Sequence, residues 1–152
     1  MNIRAKLRTK LCSGEADATQ GEMMYSLVRA AHVLESRLED ALGEVGLSLA
    51  KFGALSHLVK DGEPLSLSEC AAKMTCVRSN ITQLVDRLEA DGLVRRVEDP
   101  QDRRAVRAAV TPLGKERYAA GVRRVASVQA EFAKSLSGIN PGALERALSA
   151  IK

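Results

Sequence analysis

Ser79, Asn80, Gln83 and Arg87 are spaced three and four residues apart in a stretch that reads as helix, so they share one face. Asn and Gln can bond adenine bidentately, Arg can do the same to guanine, and Ser reaches bases or phosphates. Such a face suits the major groove of duplex DNA. Arg78 and Thr82 adjoin these four and complete the candidate DNA-binding set on the helix. Ile81, Leu84, Val85 and Leu88 form its apolar stripe. A polar face over an apolar stripe is also the ordinary pattern of a surface helix, so the segment that follows carries the distinction. Between Arg95 and Arg107 stand Arg95, Arg96, Arg103, Arg104 and Arg107 against Glu98, Asp99 and Asp102. Arginine is preferred where a narrow, negative minor groove is entered, because its guanidinium is weakly hydrated. Arg103 and Arg104, near the far end, are the candidates for that contact. Asp102, two residues before Arg104, can hold that guanidinium or cap the turn; the plainer alternative is a solvated ion pair worth little.

The elements that must position these residues are legible in the pattern. Met23, Leu27, Leu34, Leu38, Leu42 and Val45 recur at helical spacing and predict a long first helix from Glu22 to Val45, interrupted by Gly46. Ser48 caps a second helix carrying Phe52, Leu55 and Leu58, which Asp61-Gly62 and Pro64 stop. Ser66-Leu67-Ser68-Glu69 has the capping-box order and predicts a short third helix to about Met74. A tight connection over Thr75 to Val77 leads to the fourth helix, from about Arg78 to Ala90, ended by Asp91-Gly92. The period then changes: Leu93 to Val97 and Ala105 to Val110 read as strands around a charged turn, a β-hairpin. Thr111-Pro112 and Asn140-Pro141 each look like an N-cap with proline at the first helical position. The last helix places Leu144, Ala147, Leu148 and Ile151 on one stripe.

This order predicts a mainly α chain with a small β-hairpin wing: a winged helix-turn-helix with long helices added at both ends. Residues 47–111 would be the DNA-binding unit, 21–46 and 112–152 a helical dimerisation region, and 1–20 a basic and polar arm, mobile or only partly helical. Arg4, Lys6, Arg8 and Lys10 carry +4 within its first ten residues, equal to the whole chain's net charge. The stripe of the last helix needs an apolar cover, and the first helix, from the same subunit or from a second copy, is the candidate.

Leu67-Ser68-Glu69-Cys70-Ala71, the run from Ser79 to Glu89 with Asp91-Gly92-Leu93-Val94, Asp99-Pro100-Gln101-Asp102-Arg103-Arg104, and Thr111-Pro112-Leu113-Gly114 together resemble the MarR family of bacterial transcription regulators. The resemblance covers about residues 22 to 152. It implies a homodimer with interlocking terminal helices, a recognition helix in the major groove of each half-site of a palindromic operator, and wings in the flanking minor grooves. In the family the residues matching Asp102 and Arg104 shape the wing and enter the groove. It further implies repression relieved by a small ligand, often an aromatic acid or phenol, or by oxidation. Val77 stands where the family commonly has a capping Ser or Asp, and Cys70 replaces the usual Leu.

Two release mechanisms compete. Tyr25, Arg29, His32 and His57, on the first two helices, are candidates to line an effector pocket, although a helical His is more often packed or solvent-facing. Cys76, just before the fourth helix, and Cys12, in the arm, are the candidate redox residues; helix-terminal N–H groups can lower a thiol pKa. Against this, unpaired cysteines are usually buried. The spacing of Cys12, Cys70 and Cys76 is poor for a zinc site, so neither a metal nor a cofactor is expected.

Composition narrows the remaining classes. The chain has 152 residues, 45% hydrophobic and only 3% aromatic with no Trp. That predicts one domain with an aliphatic core, and it makes base stacking on single strands improbable. The pI near 9.1 suits an anionic partner. No run approaches the ~18 apolar residues of a membrane span. The first 22 residues hold no apolar leader, so a reducing cytoplasm is expected. An enzyme is not expected, since there is no phosphate loop, nucleophile elbow or metal-ligand spacing. A helical protein-interaction module is the remaining rival, and it leaves the arginine-bearing hairpin unexplained.

Overall fold

The computed structural model describes residues 3–74, 81–102 and 105–151, with side chains from residue 19 onward. Its elements are α1 (Ile3–Gly43), α2 (Leu49–Asp61), β1 (Leu65–Ser66), α3 (Leu67–Lys73), α4 (Ile81–Ala90), β2 (Val94–Glu98), β3 (Val106–Val110), α5 (Pro112–Ser135) and α6 (Pro141–Ser149). The chain falls into two compact units, Met1–Arg37 and Leu38–Lys152.

The first unit is helix. Where residues 1–20 were expected to be mobile or only partly helical, α1 is continuous from Ile3. Ala, Glu, Gln, Lys and Arg, all good helix formers, are frequent enough along residues 3–20 to carry the helix through Gly14 and Ser13. Along residues 22–33 the apolar side chains stay exposed: Met23, Met24, Tyr25, Leu27, Val28 and Val33 are all open to solvent.

The second unit holds the core. Leu42, Leu55, Leu58 and Leu88 are fully buried, joined by Val85, Val94 and Ala108. Each buried Leu contributes ~2 kcal/mol of transfer free energy. The core is aliphatic, as the composition requires, with one ring pair beside it: Phe52 and Tyr118 stack at 5.3 Å between centroids.

Local signals set most boundaries. Ser48 Oγ accepts from the Lys51 N–H, and Gly62, at φ 75°, closes α2 by donating to Leu58 O. Ser66 and Glu69 form the reciprocal capping box that starts α3. Gly92, at φ 71°, turns the chain out of α4. Thr111 and Asn140 cap α5 and α6, each followed by proline.

The sheet differs from the expected hairpin. It has three strands in the order β1-β3-β2, all antiparallel. The hairpin pairs Val94 with Val110 through to Glu98 with Val106. The added strand pairs Leu65 with Ala108 and Ser66 with Arg107. Two residues are too few to show an alternating pattern, so β1 carries no periodic signal.

Candidate nucleic-acid interface

The described part of the reading helix behaves as its pattern predicts. Leu84, Val85 and Leu88 of α4 are buried, Ile81 is half-buried, and Thr82, Gln83 and Arg87 are exposed. Burial of the stripe fixes the rotation of the helix, and that rotation turns the amide and the guanidinium outward, one turn apart. Arg78, Ser79, Asn80 and the candidate redox Cys76 lie outside the described residues, as do Arg103 and Arg104 of the wing.

Arg96 joins this helix to the wing. Its guanidinium pairs with Asp86 and Glu89 of α4, and its backbone N–H donates to Glu89 Oε1 at 3.0 Å. β2 lies at the sheet edge, so this amide would otherwise meet no strand. Asp86 foremost, and then Glu89, hold the Arg96 guanidinium in its charged form more firmly than usual. Lys51 Nζ makes a second tie, 2.5 Å from Asp91 Oδ2 beyond the end of α4.

Arg107 has a similar role on β3. Its Nε donates to Asp99 Oδ2 at 2.6 Å. Its Nη1 donates to Pro64 O at 3.1 Å and to Glu69 Oε2 at 3.2 Å. Of the hairpin arginines counted in the sequence, Arg96 and Arg107 are thus engaged by carboxylates, while Arg95 is exposed.

Asp99 was given no role of its own by sequence reasoning, yet it is held from two sides. It is only 9% exposed. Its Oδ1 accepts from the Gln101 N–H at 2.9 Å, the side-chain turn that favours Asp ahead of Pro at the next position. That N–H, followed by the Arg107 guanidinium, holds the Asp99 carboxyl below its ordinary pKa. The Asp99-Pro100 pair was the available signal. Asp102, the expected shaper of the wing, is exposed, and its backbone carbonyl accepts from Ala105 N at 2.9 Å. Its expected partner, Arg104, is outside the described residues.

The other candidates separate by unit. Tyr25, Arg29 and His32 line one shallow hollow along α1 together with Glu22 and Val33. His32 Nδ1 lies 3.8 Å from Glu35 Oε2. His57 is half-buried on α2, in the other unit. Cys70 is buried, and burial pushes its thiol pKa up, which makes it a poor nucleophile. The Cys12 side chain lies outside the described ones. No group of three or more His, Cys, Asp or Glu among the described residues is placed to hold a metal ion.

A reading helix packed by its apolar stripe, followed by an antiparallel wing tied to it through Arg96, defines a winged helix-turn-helix protein. Residues 47–106 match the model of the MarR family. The chain is 33% identical over 89 residues to the HTH-type transcriptional regulator YsmB of Bacillus subtilis (strain 168), covering 59% of this chain and 60% of that relative. It is 26% identical over 145 residues to YkoM of the same organism, covering 94% and 91%. Among solved structures it resembles the transcriptional repressor CouR bound to a 23-mer DNA duplex. The TM-score there is 0.72 at 29% identity, over 84% of this chain and 89% of that one. CouR from Rhodococcus jostii RHA1 is also known bound to p-coumaroyl-CoA, a structure with a TM-score of 0.67 at 27% identity, over 85% and 88%.

Proposed function

We propose that this chain is a sequence-specific, duplex-DNA-binding transcription regulator, a homodimeric repressor released by a small organic ligand. The observation that carries the reading is the outward set Thr82, Gln83 and Arg87 over a buried stripe, beside a wing tied to the same helix. Arg78, Ser79 and Asn80 would extend that face, Arg103 and Arg104 would enter the flanking minor grooves, and Asp102 would shape the wing. A second copy would double the reading helix and match a palindromic operator with half-sites roughly 34 Å apart. The exposed apolar side chains of α1 and of the α5–α6 end support such a copy. The complexes of CouR with DNA and with p-coumaroyl-CoA support a repressor that answers to an aromatic effector. Tyr25, Arg29 and His32, which line one hollow along α1, are the residues we assign to that effector. No helix among the described residues is long and apolar enough to cross a membrane, and a non-catalytic, cytoplasmic role follows from the reading as a whole.

Selecting bound duplexes from a random pool tests this. The expected product is a palindrome with turn-sized spacing, whose affinity falls steeply with salt. Arg87→Ala should cost about 1–3 kcal/mol and relax preference at one base pair of each half-site. Recovery of no consensus, with an affinity indifferent to salt, would overturn the assignment.

A further inference from the structure

Arg107 sits at a crossing of three segments. As a β3 residue it pairs with Ser66 of β1 on one side and with Val97 of β2 on the other. Its guanidinium reaches out of the sheet to Pro64 O, ahead of β1, to Glu69 Oε2 in the first turn of α3, and to Asp99 Oδ2 at the start of the wing turn. Both carboxylates are already held. Glu69 Oε2 accepts the Ser66 N–H at 2.8 Å in the capping box, and Asp99 Oδ1 accepts the Gln101 N–H. A planar fork spreads its donors over three nitrogens in fixed directions and so suits three such separated points; an ammonium offers its three donors from a single atom.

We propose that Arg107 is a positioning residue for the DNA contact: its guanidinium clamps the root of the wing to the capped start of α3 and so fixes where the wing stands relative to the reading helix. The inference rests on the DNA-binding reading and adds to it the residue that sets the wing's place. The competing account makes Arg107 a phosphate contact. The two differ in the sign they give to Asp99. Removing its negative charge would leave a phosphate-binding arginine less neutralised and binding equal or tighter. In a clamp the same change breaks the strongest link and weakens binding.

The experiment uses the full chain and the duplex selected by the wild-type protein. Asp99→Asn keeps an oxygen to accept the Gln101 N–H but loses the charge; Arg107→Gln removes the fork. Both variants should bind roughly tenfold more weakly. Hydroxyl-radical protection should be lost in the flanking minor grooves, while guanine N7 protection in the central major grooves is kept. Arg107→Lys should restore part of the flanking protection. Circular dichroism at the assay temperature separates misplacement from unfolding, and if Arg107→Gln unfolds, Asp99→Asn decides. Asp99→Asn binding as tightly as wild type with intact flanks would overturn the clamp while leaving the DNA reading standing. Proportional loss of central and flanking protection in a folded variant would overturn it as well. A wild-type chain that selects no duplex removes the DNA reading, and the clamp with it.

Discussion

Asp99 and Glu69 are carboxylates whose ionised forms the fold favours. Backbone N–H donation, from Gln101 to Asp99 and from Ser66 to Glu69, comes first, and Arg107 adds to both. A carboxyl with a lowered pKa in the folded state contributes stability that is fully present above its unfolded value. That contribution is lost as pH falls through the folded value. Acid denaturation should therefore steepen below pH ~4, where the unfolded chain takes up these protons before the folded one does. Asp99→Asn and Glu69→Gln should be less stable than wild type at neutral pH and lose less on acidification. Thermal midpoints measured from neutral to strongly acid pH check this; wild-type and variant curves that run parallel would contradict it. Legibility at this scale was uneven. Gln83 and Arg87 stood out because their helix is amphipathic. The ties of Arg96 and Arg107 are not legible in the sequence, because Asp86, Glu69 and Pro64, which engage them, lie 10, 38 and 43 residues away. Composition counts charges but does not pair them.

Among the elements, those with local punctuation were readable and those without it were not. Ser48, Ser66, Thr111-Pro112 and Asn140-Pro141 each announce a helix start through a hydrogen bond closed within three residues. No such signal marks β1, whose two residues exist as strand only because β3 passes beside them. Residues 3–20 set Ile3, Leu7 and Leu11 among charged and polar residues with Ser13 and Gly14 beyond them, and so their helix was not foreseen. Packing of elements also turns on two glycines of α5. A Cβ at Gly121 would lie 2.8 Å from the Phe52 ring, a neighbour that can shift somewhat. At Gly114 it would lie 2.0 Å from Leu93 O, which is backbone and held in the sheet-to-helix joint. Gly114→Ala should therefore destabilise the chain by about 3 kcal/mol or more, and by more than Gly121→Ala. Urea midpoints at unchanged m-value measure both; equal midpoints would show the joint to be softer than its geometry.

For the molecule as a whole, the dominant fact is apolar surface that the described residues leave uncovered. Phe132, Ile139, Leu148 and Ile151 are exposed at the α5–α6 end, and Phe132, Leu136, Leu144 and Leu148 line a hollow there. Met23, Met24, Leu27 and Val28 are exposed along α1, a helix of about 60 Å at 1.5 Å per residue. If a second copy covers these surfaces, folding and association are linked, and the wild-type thermal midpoint should rise with protein concentration. Phe132→Asp with Leu148→Asp should give a sedimenting monomer that has lost this concentration dependence and binds a two-half-site duplex no better than a half-site. A wild-type chain that sediments as a monomer at micromolar concentration would contradict the homodimer.

The joint between β3 and α5 consists of Thr111 alone. Its N–H donates to Leu93 O at 3.0 Å, its hydroxyl donates to Gly92 O at 2.7 Å, and the same oxygen accepts from Gly114 N at 3.0 Å. Pro112 fixes the next φ, and Gly114 seats the first turn of α5 against Leu93. A coupling with no slack delivers rotation instead of absorbing it. A twist of α5 about its own axis must therefore reappear as a tilt of the sheet, so the pose of this helix and the pose of the wing form one mechanical coordinate.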